Sequence, residues 1–295
     1  MKIIEQELIE FDNTLSDCLN SRQNQISENI KNFIFSKSKR LRPKLIFLFT
    51  KALQATVSSE IINLAVSTEL IHNSTLIHDD IIDNAKTRRG KLSLNKQLGN
   101  NLSVLAGDYL LSISMQFLAK CKNIECIEIF SNSLKLMCEG EINQHYTIGE
   151  LPTMEDYIEK SQKKTAELFK AALISASLLS NTETKIAENF ATNFGIAFQI
   201  KDDLQNILQT DITKPTLSDI HNKIYTAPII LLDKDIKNLS EEELIKAVQT
   251  QEIKKQTIEL VKEYATKAIA SLDDIKDNQY KAELIAISED LYKVI

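Results

Sequence analysis

The hydrophobic positions of this chain recur at helical spacing along most of its length. Near the N-terminus, apolar side chains alternate with charged ones at Ile4, Leu8, Phe11, Leu15 and Leu19. A recurrence every three or four residues predicts an amphipathic helix, followed by part of a second one. We expect this segment to supply packing or dimer contacts and to take no part in chemistry.

Longer and more apolar stretches predict the helices of the core. They cover residues 44–55, 60–82, 104–120, 124–144 and 183–209. Thr153 and Ser240 each precede an acidic residue by three positions, the pattern of a capping box at a helix start. Residues 86–101 are polar and contain two glycines, which predicts a long loop.

The composition narrows the fold class to all-α. The chain has 295 residues, of which only 6 are Gly and 4 are Pro, and folds rich in sheets and turns use both residues freely. No internal repeat or linker marks a second domain. We therefore predict a single helical domain over residues 1–295, with a sizeable core from its 43% hydrophobic residues.

Charge and cysteine content limit the partners and the compartment. A net charge of −6 argues against nucleic acid, since such proteins show a basic footprint. We expect no membrane span, because no stretch approaches the ~18 to 20 apolar residues that a span requires. The first residues are too acidic for a signal peptide, and four cysteines without C-x-x-C spacing are typical of a reduced, cytoplasmic protein.

The first candidate site lies at the end of the apolar stretch 60–82. Asp79, Asp80 and Asp83 stand at i, i+1 and i+4, so a helix places the first and last on one face. Such a carboxylate pair is a candidate ligand set for a divalent metal. The basic segment 86–91, with Arg88 and Arg89, follows directly and would lie beside an anion held by that metal.

A second acidic pair ends another apolar face. Asp202 and Asp203 follow Phe198-Gln199-Ile200-Lys201, and Asn206 supplies an amide oxygen at i+4. Oxygen ligands suit Mg²⁺, which is commonly held by one or two carboxylates and substrate phosphates. We expect the two acidic helices to face each other across a cavity. Residues 273–277 repeat the D-D-x-x-D spacing in a charged tail, where a solvated helix end is the simpler interpretation.

Taken together and in order, these motifs resemble the trans-isoprenyl diphosphate (polyprenyl) synthases. The resemblance runs from Lys39 to Pro228. Its residues are Lys39-Arg-Leu-Arg-Pro43, His72, His78-Asp-Asp-Ile-Ile-Asp83, Arg88-Arg-Gly90, Gly107-Asp108, Lys164-Thr-Ala166, Phe198-Gln199 and Asp202-Asp203.

The resemblance implies an all-α, single-domain isoprenoid synthase fold with about ten or more helices around a central active-site cavity, usually as a homodimer. It implies a prenyltransferase that joins an allylic diphosphate, here expected to be farnesyl diphosphate, to successive isopentenyl diphosphates. The allylic diphosphate ionises, the isopentenyl double bond attacks the carbocation, and a proton is lost. Three Mg²⁺ ions would take part, with Asp79, Asp83 and Asp202 as direct ligands.

The resemblance also implies roles for the other motif residues. Arg88, Lys164 and Lys214 would bind the allylic diphosphate, while Lys39, Arg42, His72 and Arg89 would bind isopentenyl diphosphate. Thr165 and Gln199 would line the carbocation, and Asp80 and Asp203 would support the metal directly or through another group. Two positions depart from the family pattern: Asn206 replaces an Asp, and Lys223 stands one position away from the usual lysine.

Product length in the family depends on what blocks the tunnel below the first acidic motif. Ser74 and Thr75 lie five and four residues before Asp79, roughly 6 to 8 Å down the helix. Short-chain members place bulky aromatic residues there, whereas small residues leave the tunnel open. We expect Phe130 to form its floor, with Met115 and Phe117 as alternatives, and a product of about eight isoprene units for a quinone side chain.

Other functions stay open at this point. A synthase making geranylgeranyl or farnesyl diphosphate differs only in product length. A non-catalytic partner subunit would have lost acidic or arginine motifs, and here only Asn206 departs from the acidic pattern. A class I terpene cyclase would carry Ser and Glu ligands in its second motif, which residues 202–206 lack.

Overall fold

The structure is a computed structural model that describes residues 2–20, 25–36, 38–208, 217–233 and 236–293. Its helices are α1 (Glu5–Cys18), α2 (Gln25–Ile34), α3 (Leu41–Ala52), α4 (Ser59–Ile82), α5 (Leu94–Leu98), α6 (Asn100–Lys120), α7 (Ile124–Tyr146), α8 (Met154–Ser161), α9 (Glu167–Leu179), α10 (Lys185–Leu208), α11 (Ser218–His221), α12 (Ala227–Ile230), α13 (Glu241–Val248), α14 (Gln251–Ala270) and α15 (Gln279–Lys293). A π-helix (Gln162–Ala166) joins α8 to α9, and short 3-10 helices cover Lys2–Ile4 and Ile236–Asn238. The all-α prediction is confirmed.

The chain packs as two compact units. Unit 1 comprises Met1–Phe130, Ala171–Thr184 and Asn278–Lys281, and unit 2 comprises Ser131–Lys170, Lys185–Asp277 and Ala282–Ile295. Each unit is described by itself. The single domain over residues 1–295 stays a prediction.

Unit 1 is built around α4, which is apolar on nearly every side and packs against α1, α3 and α6. The helix begins at Ser58, whose hydroxyl accepts a hydrogen bond from the Ile61 amide. Small polar residues let α4 and α6 approach each other. Ser67 Oγ donates to Ser114 O at 2.9 Å, and Ser74 Oγ donates to Gly107 O at 2.8 Å.

Unit 2 is built around α10, which packs against α14 and the π-helix. Gly195 permits the second contact, because a Cβ there would lie 2.5 Å from Ala166 Cα. Edge-on and stacked phenylalanine rings fill the same face, at positions 169, 190, 194 and 198. Both predicted capping boxes are confirmed: Thr153 pairs with Asp156 and Ser240 with Glu243.

The predicted loop over residues 86–101 is wrong. Strands β1 (Thr87–Arg88) and β2 (Lys91–Leu92) form a short antiparallel hairpin in which Arg88 pairs with Lys91. Arg89 and Gly90 turn it with φ values of 53° and 77°, a positive-φ pair that matches the twist of tight hairpins. Helices α5 and the start of α6 occupy the rest of the segment.

Helix α6 corrects the expectation about membrane-span length. Within the described residues it alone has the length and apolarity of a span, with a mean hydropathy of 1.4 over an 18-residue window. Its buried face, which includes Ala106, Gly107 and Leu110, lies in the helical core of unit 1. The core helix of a soluble protein has these same properties, so α6 is weak evidence for a membrane span.

Candidate active site

The first acidic motif occupies the last turn of α4. Asp79 is half-buried, Asp83 is exposed and Asp80 is fully buried. Asp83 caps the helix by donating its amide to Asp79 O at 2.8 Å. The spacing therefore puts Asp79 and Asp83 one turn apart at the accessible end of the helix, while Asp80 points into the protein.

Asp80 ties the hairpin to this helix end. Arg88 donates from Nε to Asp80 Oδ1 at 2.8 Å and from Nη2 to the same oxygen. Asn95, on α5, donates Nδ2 to Asp80 O at 3.0 Å. Burial raises the pKa of Asp80, and the arginine opposes that shift. Asp80 thus acts in this structure as the anchor of Arg88.

A cationic cluster in unit 1 surrounds His72. Burial lowers the pKa of His72 well below its ordinary value, and the charges of Arg42, Arg89 and Arg88 lower it further. Arg89 is fixed by donating Nη1 to Phe33 O at 3.3 Å and to Ser36 O at 3.2 Å. A neutral imidazole among three guanidinium groups is a favourable environment for an anion such as a diphosphate.

The segment carrying Lys39 and Arg42 is held by Arg40, which the sequence analysis included in a motif without giving it a role. Arg40 has a φ of 51°, and its Nη1 donates to Glu69 Oε1 at 3.0 Å and to Ile34 O at 3.2 Å. Its Nε lies 3.3 Å from Asp12 Oδ1. The signal was available, because Glu69 interrupts an apolar helix and a buried carboxylate needs a partner. Lys39 itself is exposed.

In unit 2, Asp203 is the centre of a buried hydrogen-bond network. Tyr157 Oη donates to Asp203 Oδ2 at 2.6 Å, and Gln199 Nε2 donates to Asp203 Oδ1 at 2.7 Å. Thr165 Oγ1 donates in turn to Gln199 Oε1 at 2.5 Å. Burial, with the charge of Asp219, raises the pKa of Asp203 to about 7, against the Tyr157 and Gln199 hydrogen bonds. The structure therefore joins three predicted site residues, and Tyr157 is one that the sequence analysis missed.

The π-helix sets the position of Lys164. Helical π-turns occur frequently at functional sites, because the extra residue redirects side chains. Here Lys164 Nζ lies 2.7 Å from Glu141 Oε2 on α7, and Thr165 comes next in the chain. Neither the π-turn nor Glu141 had been singled out, since a π-turn leaves no clear pattern in a single sequence.

The remaining predicted residues are less closely grouped. Asp202 is half-buried beside Asp203, and Asn206 Nδ2 donates to Ser218 Oγ at 2.9 Å. Lys223 is exposed, with a φ of 55°. Lys214 lies outside the described residues.

The three residues expected to set product length are all in unit 1. Ser74 is 2% exposed and lies in the contact between α4 and α6. Thr75 is half-buried, and Phe130 is fully buried. Their part in product length stays a prediction.

A cavity of about 470 Å³ in unit 2 contains none of the predicted site residues. Tyr157, Lys160, Gln144 and Tyr225 are among the side chains that line it. Its mixed lining, with both lysines and acids, indicates no particular ligand. Its contact with the site is through Tyr157, which also bonds Asp203.

The carboxylates fit a magnesium ion that is held by few protein side chains. Within the described ranges, no group of three or more His, Cys, Asp and Glu side chains is arranged to hold a metal. Mg²⁺ does not require such a cage, because it keeps waters and is commonly held by one or two carboxylates with substrate phosphates. Asp80 Oδ2 is also buried without a hydrogen-bond partner in the part of the chain that the structure describes. Hard oxygen donors in small number, beside cations for a diphosphate, are what such an ion needs.

Comparison with known proteins agrees with this arrangement. Residues 23–265 match the family model for polyprenyl synthetase. A prenyl transferase of Cyanidium caldarium is 30% identical over 311 aligned positions, which cover 99% of this chain and 96% of the relative. Solanesyl-diphosphate synthase 2 (chloroplastic) of Oryza sativa subsp. japonica is 33% identical over 254 positions, covering 82% of this chain and 62% of the relative.

Solved structures show the same fold. Heptaprenyl diphosphate synthase from Staphylococcus aureus superposes with a TM-score of 0.92 at 24% identity, over 98% of each chain. A polyprenyl synthase from Caulobacter crescentus, complexed with calcium and isoprenyl diphosphate, gives 0.91 at 23% identity, over 99% of this chain and 95% of the other. Geranylgeranyl pyrophosphate synthetase from Pyrococcus horikoshii gives 0.86 at 24% identity, over 99% and 97%.

Proposed function

Because the chain belongs to the polyprenyl synthetase family, we propose that this trans-prenyltransferase makes a long all-trans polyprenyl diphosphate of about eight isoprene units. Its substrates are farnesyl diphosphate and successive isopentenyl diphosphates, and its cofactor is Mg²⁺. The observation that carries the proposal is the end of α4, where the charges of Arg88 and Arg89 act on Asp80, next to Asp79, and also on His72 of the same helix.

The residues of unit 1 have roles in binding and ionisation. The metal, when bound, neutralises charge that develops on the departing diphosphate. Asp79 and Asp83 are its proposed ligands here, and Asp202 is the proposed ligand in unit 2. Arg88, held by Asp80, presents a fixed positive charge to the allylic diphosphate, and a charge fixed in advance lowers the ionisation barrier without reorganisation. Lys39, Arg42, His72 and Arg89 bind isopentenyl diphosphate.

The residues of unit 2 have roles in steadying the carbocation. Thr165 donates its hydroxyl hydrogen bond to Gln199 Oε1, so its oxygen lone pairs remain for the positive charge on the allylic carbon. Lys164, which pairs with Glu141 and directly precedes Thr165, is the proposed ligand of the allylic diphosphate in this unit. No nucleophilic side chain is required, since the isopentenyl double bond attacks the carbocation and the released diphosphate then takes up the proton that is lost.

The long product is supported by small residues below the first acidic motif and by the printed names of relatives. Thr75 is half-buried, and no bulky aromatic residue occupies position 74 or 75. The synthase of Oryza sativa is named for a solanesyl product. A fold likeness does not settle length, because the heptaprenyl and geranylgeranyl enzymes superpose almost equally well.

We also propose that the protein is a homodimer through α6. One side of this helix exposes apolar side chains, with Leu105 61%, Val104 42%, Leu102 39% and Tyr109 37% exposed. Contiguous exposed apolar surface marks interaction sites, and a two-fold pair would cover the same patch on both copies.

The proposal is tested by incubating the purified protein with farnesyl diphosphate, isopentenyl diphosphate and Mg²⁺, followed by mass analysis of the lipid. A product of about eight units is expected, and chelation of the metal should abolish it. Thr75→Phe should shorten the product, because an aromatic ring below the motif blocks the tunnel. A geranylgeranyl or farnesyl product from the wild type would favour the shorter-chain synthase. Elongation only after a second protein is added would favour the partner-subunit alternative.

A further inference from the structure

Tyr157 is a fully buried phenol beside Asp203 and Ser161. It is 1% exposed, and its hydroxyl donates to Asp203 Oδ2 at 2.6 Å. The capping box of α8 places it, because the Tyr157 amide donates to Thr153 O at 3.0 Å in the first turn. Ser161 secures the next turn by donating Oγ to Tyr157 O at 2.8 Å.

The hydrogen bonds of this network converge on Asp203 from two sides. Tyr157 and Gln199 each donate to one oxygen of Asp203, so a carboxylate that only accepts is satisfied on both sides. Gln199 must therefore turn its amide NH₂ toward Asp203 and its carbonyl toward Thr165. That carbonyl accepts the Thr165 proton. The orientation of Thr165 thus depends on how Asp203 is held.

We propose that Tyr157 is a positioning residue for prenyl transfer: it holds the Asp203 carboxylate so that Gln199 and Thr165 keep the orientation that offers the Thr165 oxygen to the allylic cation. This proposal rests on the proposed function, which gives Thr165 and Gln199 their place beside the cation. Without the phenol, Asp203 Oδ2 loses the donor that fixes the carboxylate from that side, and only Gln199 and the charges of Lys160 and Asp219 still act on it. The amide of Gln199 then loses its fixed partner.

The kinetic test is Tyr157→Phe, which keeps the ring and removes only the hydroxyl. We expect kcat to fall by on the order of tenfold, because small misplacements of catalytic groups are costly. The KM for isopentenyl diphosphate should not change, since its proposed ligands are in unit 1. Tyr264→Phe, on α14 of the same unit, is the matched control and should keep the wild-type kcat.

A double variant separates positioning from general packing. If Tyr157 acts through Thr165, then Tyr157→Phe should lower kcat little further in a Thr165→Ala background, because the two changes interrupt one chain. If the losses of kcat in the two single variants multiply in the double variant, the proposal is wrong. It is also wrong if Tyr157→Phe keeps the wild-type kcat, or if its loss of kcat is explained by a lower melting temperature alone.

Crystal structures of the wild type and Tyr157→Phe give a readout that needs no turnover. The variant should lose the bond from Gln199 Nε2 to Asp203 or the bond from Thr165 to Gln199. If both bonds persist, the proposal is wrong even where kcat falls. Failure of the proposed function is distinguishable, because it would appear as a wild type that does not elongate farnesyl diphosphate.

Discussion

At the scale of single residues, burial distinguishes the three aspartates of the first acidic motif. Asp79, Asp80 and Asp83 are the same type of residue, yet Asp80 is buried against Arg88 and the other two are not buried. The D-D-x-x-D spacing predicted the pair one turn apart. The spacing could not predict that Asp80 would bind Arg88, because this contact depends on a hairpin whose formation is not encoded in the spacing.

The residues that the sequence analysis missed share a physical cause. Tyr157, Arg40 and Glu141 each support a predicted residue through a contact far away in sequence. A periodic pattern reports which face of a helix is apolar, and it does not report which buried polar group meets which other. The acids of the 273–277 repeat, by contrast, are exposed in the turn that follows α14, in agreement with their prediction as a solvated helix end.

His72 should make the protein sensitive to mild acid. Its pKa in the folded protein lies well below the ordinary histidine value of about 6.5, so only the unfolded chain gains this proton as the pH falls below about 6.5. Stability from this group is therefore complete above that pH and is lost progressively beneath it. When the pH is lowered from about 7.5 to about 5, the unfolding free energy of the wild type should fall by about 1 to 2 kcal/mol more than that of His72→Gln.

Urea unfolding at the two pH values measures this difference. His145→Gln is the matched control, because His145 is exposed on α7, and its loss of stability in acid should equal that of the wild type. An identical loss in His72→Gln and the wild type would show that the imidazole is not held neutral by its surroundings.

At the scale of elements, most helices follow from periodicity and the exceptions follow from geometry. The predicted helix over residues 60–82 is α4, and the two capping boxes begin α8 and α13. The hairpin was missed because its turn, Arg89-Gly90, depends on positive φ at both positions rather than on alternating side chains. The π-helix was missed because its sequence, Gln162–Ala166, continues an ordinary helical pattern.

The close approach of α10 to the π-helix makes Gly195 a sensitive position. In Gly195→Ala the new Cβ would lie 2.5 Å from Ala166 Cα and 3.2 Å from Ala166 N, and backbone atoms cannot move aside as a side-chain tip can. We expect the unfolding free energy to fall by about 1 to 3 kcal/mol, although alanine favours an isolated helix by about 1 kcal/mol. The kcat should fall as well, because Lys164 and Thr165 are carried by the displaced turn.

Gly140→Ala is the control for this substitution. Its Cβ would lie 3.2 Å from Lys163 Cβ, a tight contact that a shift of a few tenths of an ångström would relieve and that is far less severe than 2.5 Å. Chemical unfolding and steady-state kinetics of the two variants provide the comparison. Equal effects at both glycines would mean that the approach of α10 to the π-helix is looser than 2.5 Å implies.

At the scale of the whole molecule, fold and family are more robust than product length. The scarcity of Gly and Pro predicted the all-α class, and the ordered motifs predicted the family that the comparison then showed. We expect product length to depend on a few side chains, such as Thr75 and Phe130, which the overall backbone does not determine. Enzymes named for products of different length share this fold.

The apolar side of α6 gives the last prediction, which concerns assembly. Leu105 is the most exposed of its apolar residues, and a charge there would have to be desolvated in an interface. We expect Leu105→Glu to convert a dimer to a monomer, with the mass measured by light scattering after size exclusion. Leu151→Glu is the matched control, since Leu151 is 43% exposed in the segment before α8, and it should stay dimeric. A monomeric wild type, or a Leu105→Glu variant that keeps the dimer mass, would remove α6 as the interface and leave its exposed apolar side to another partner.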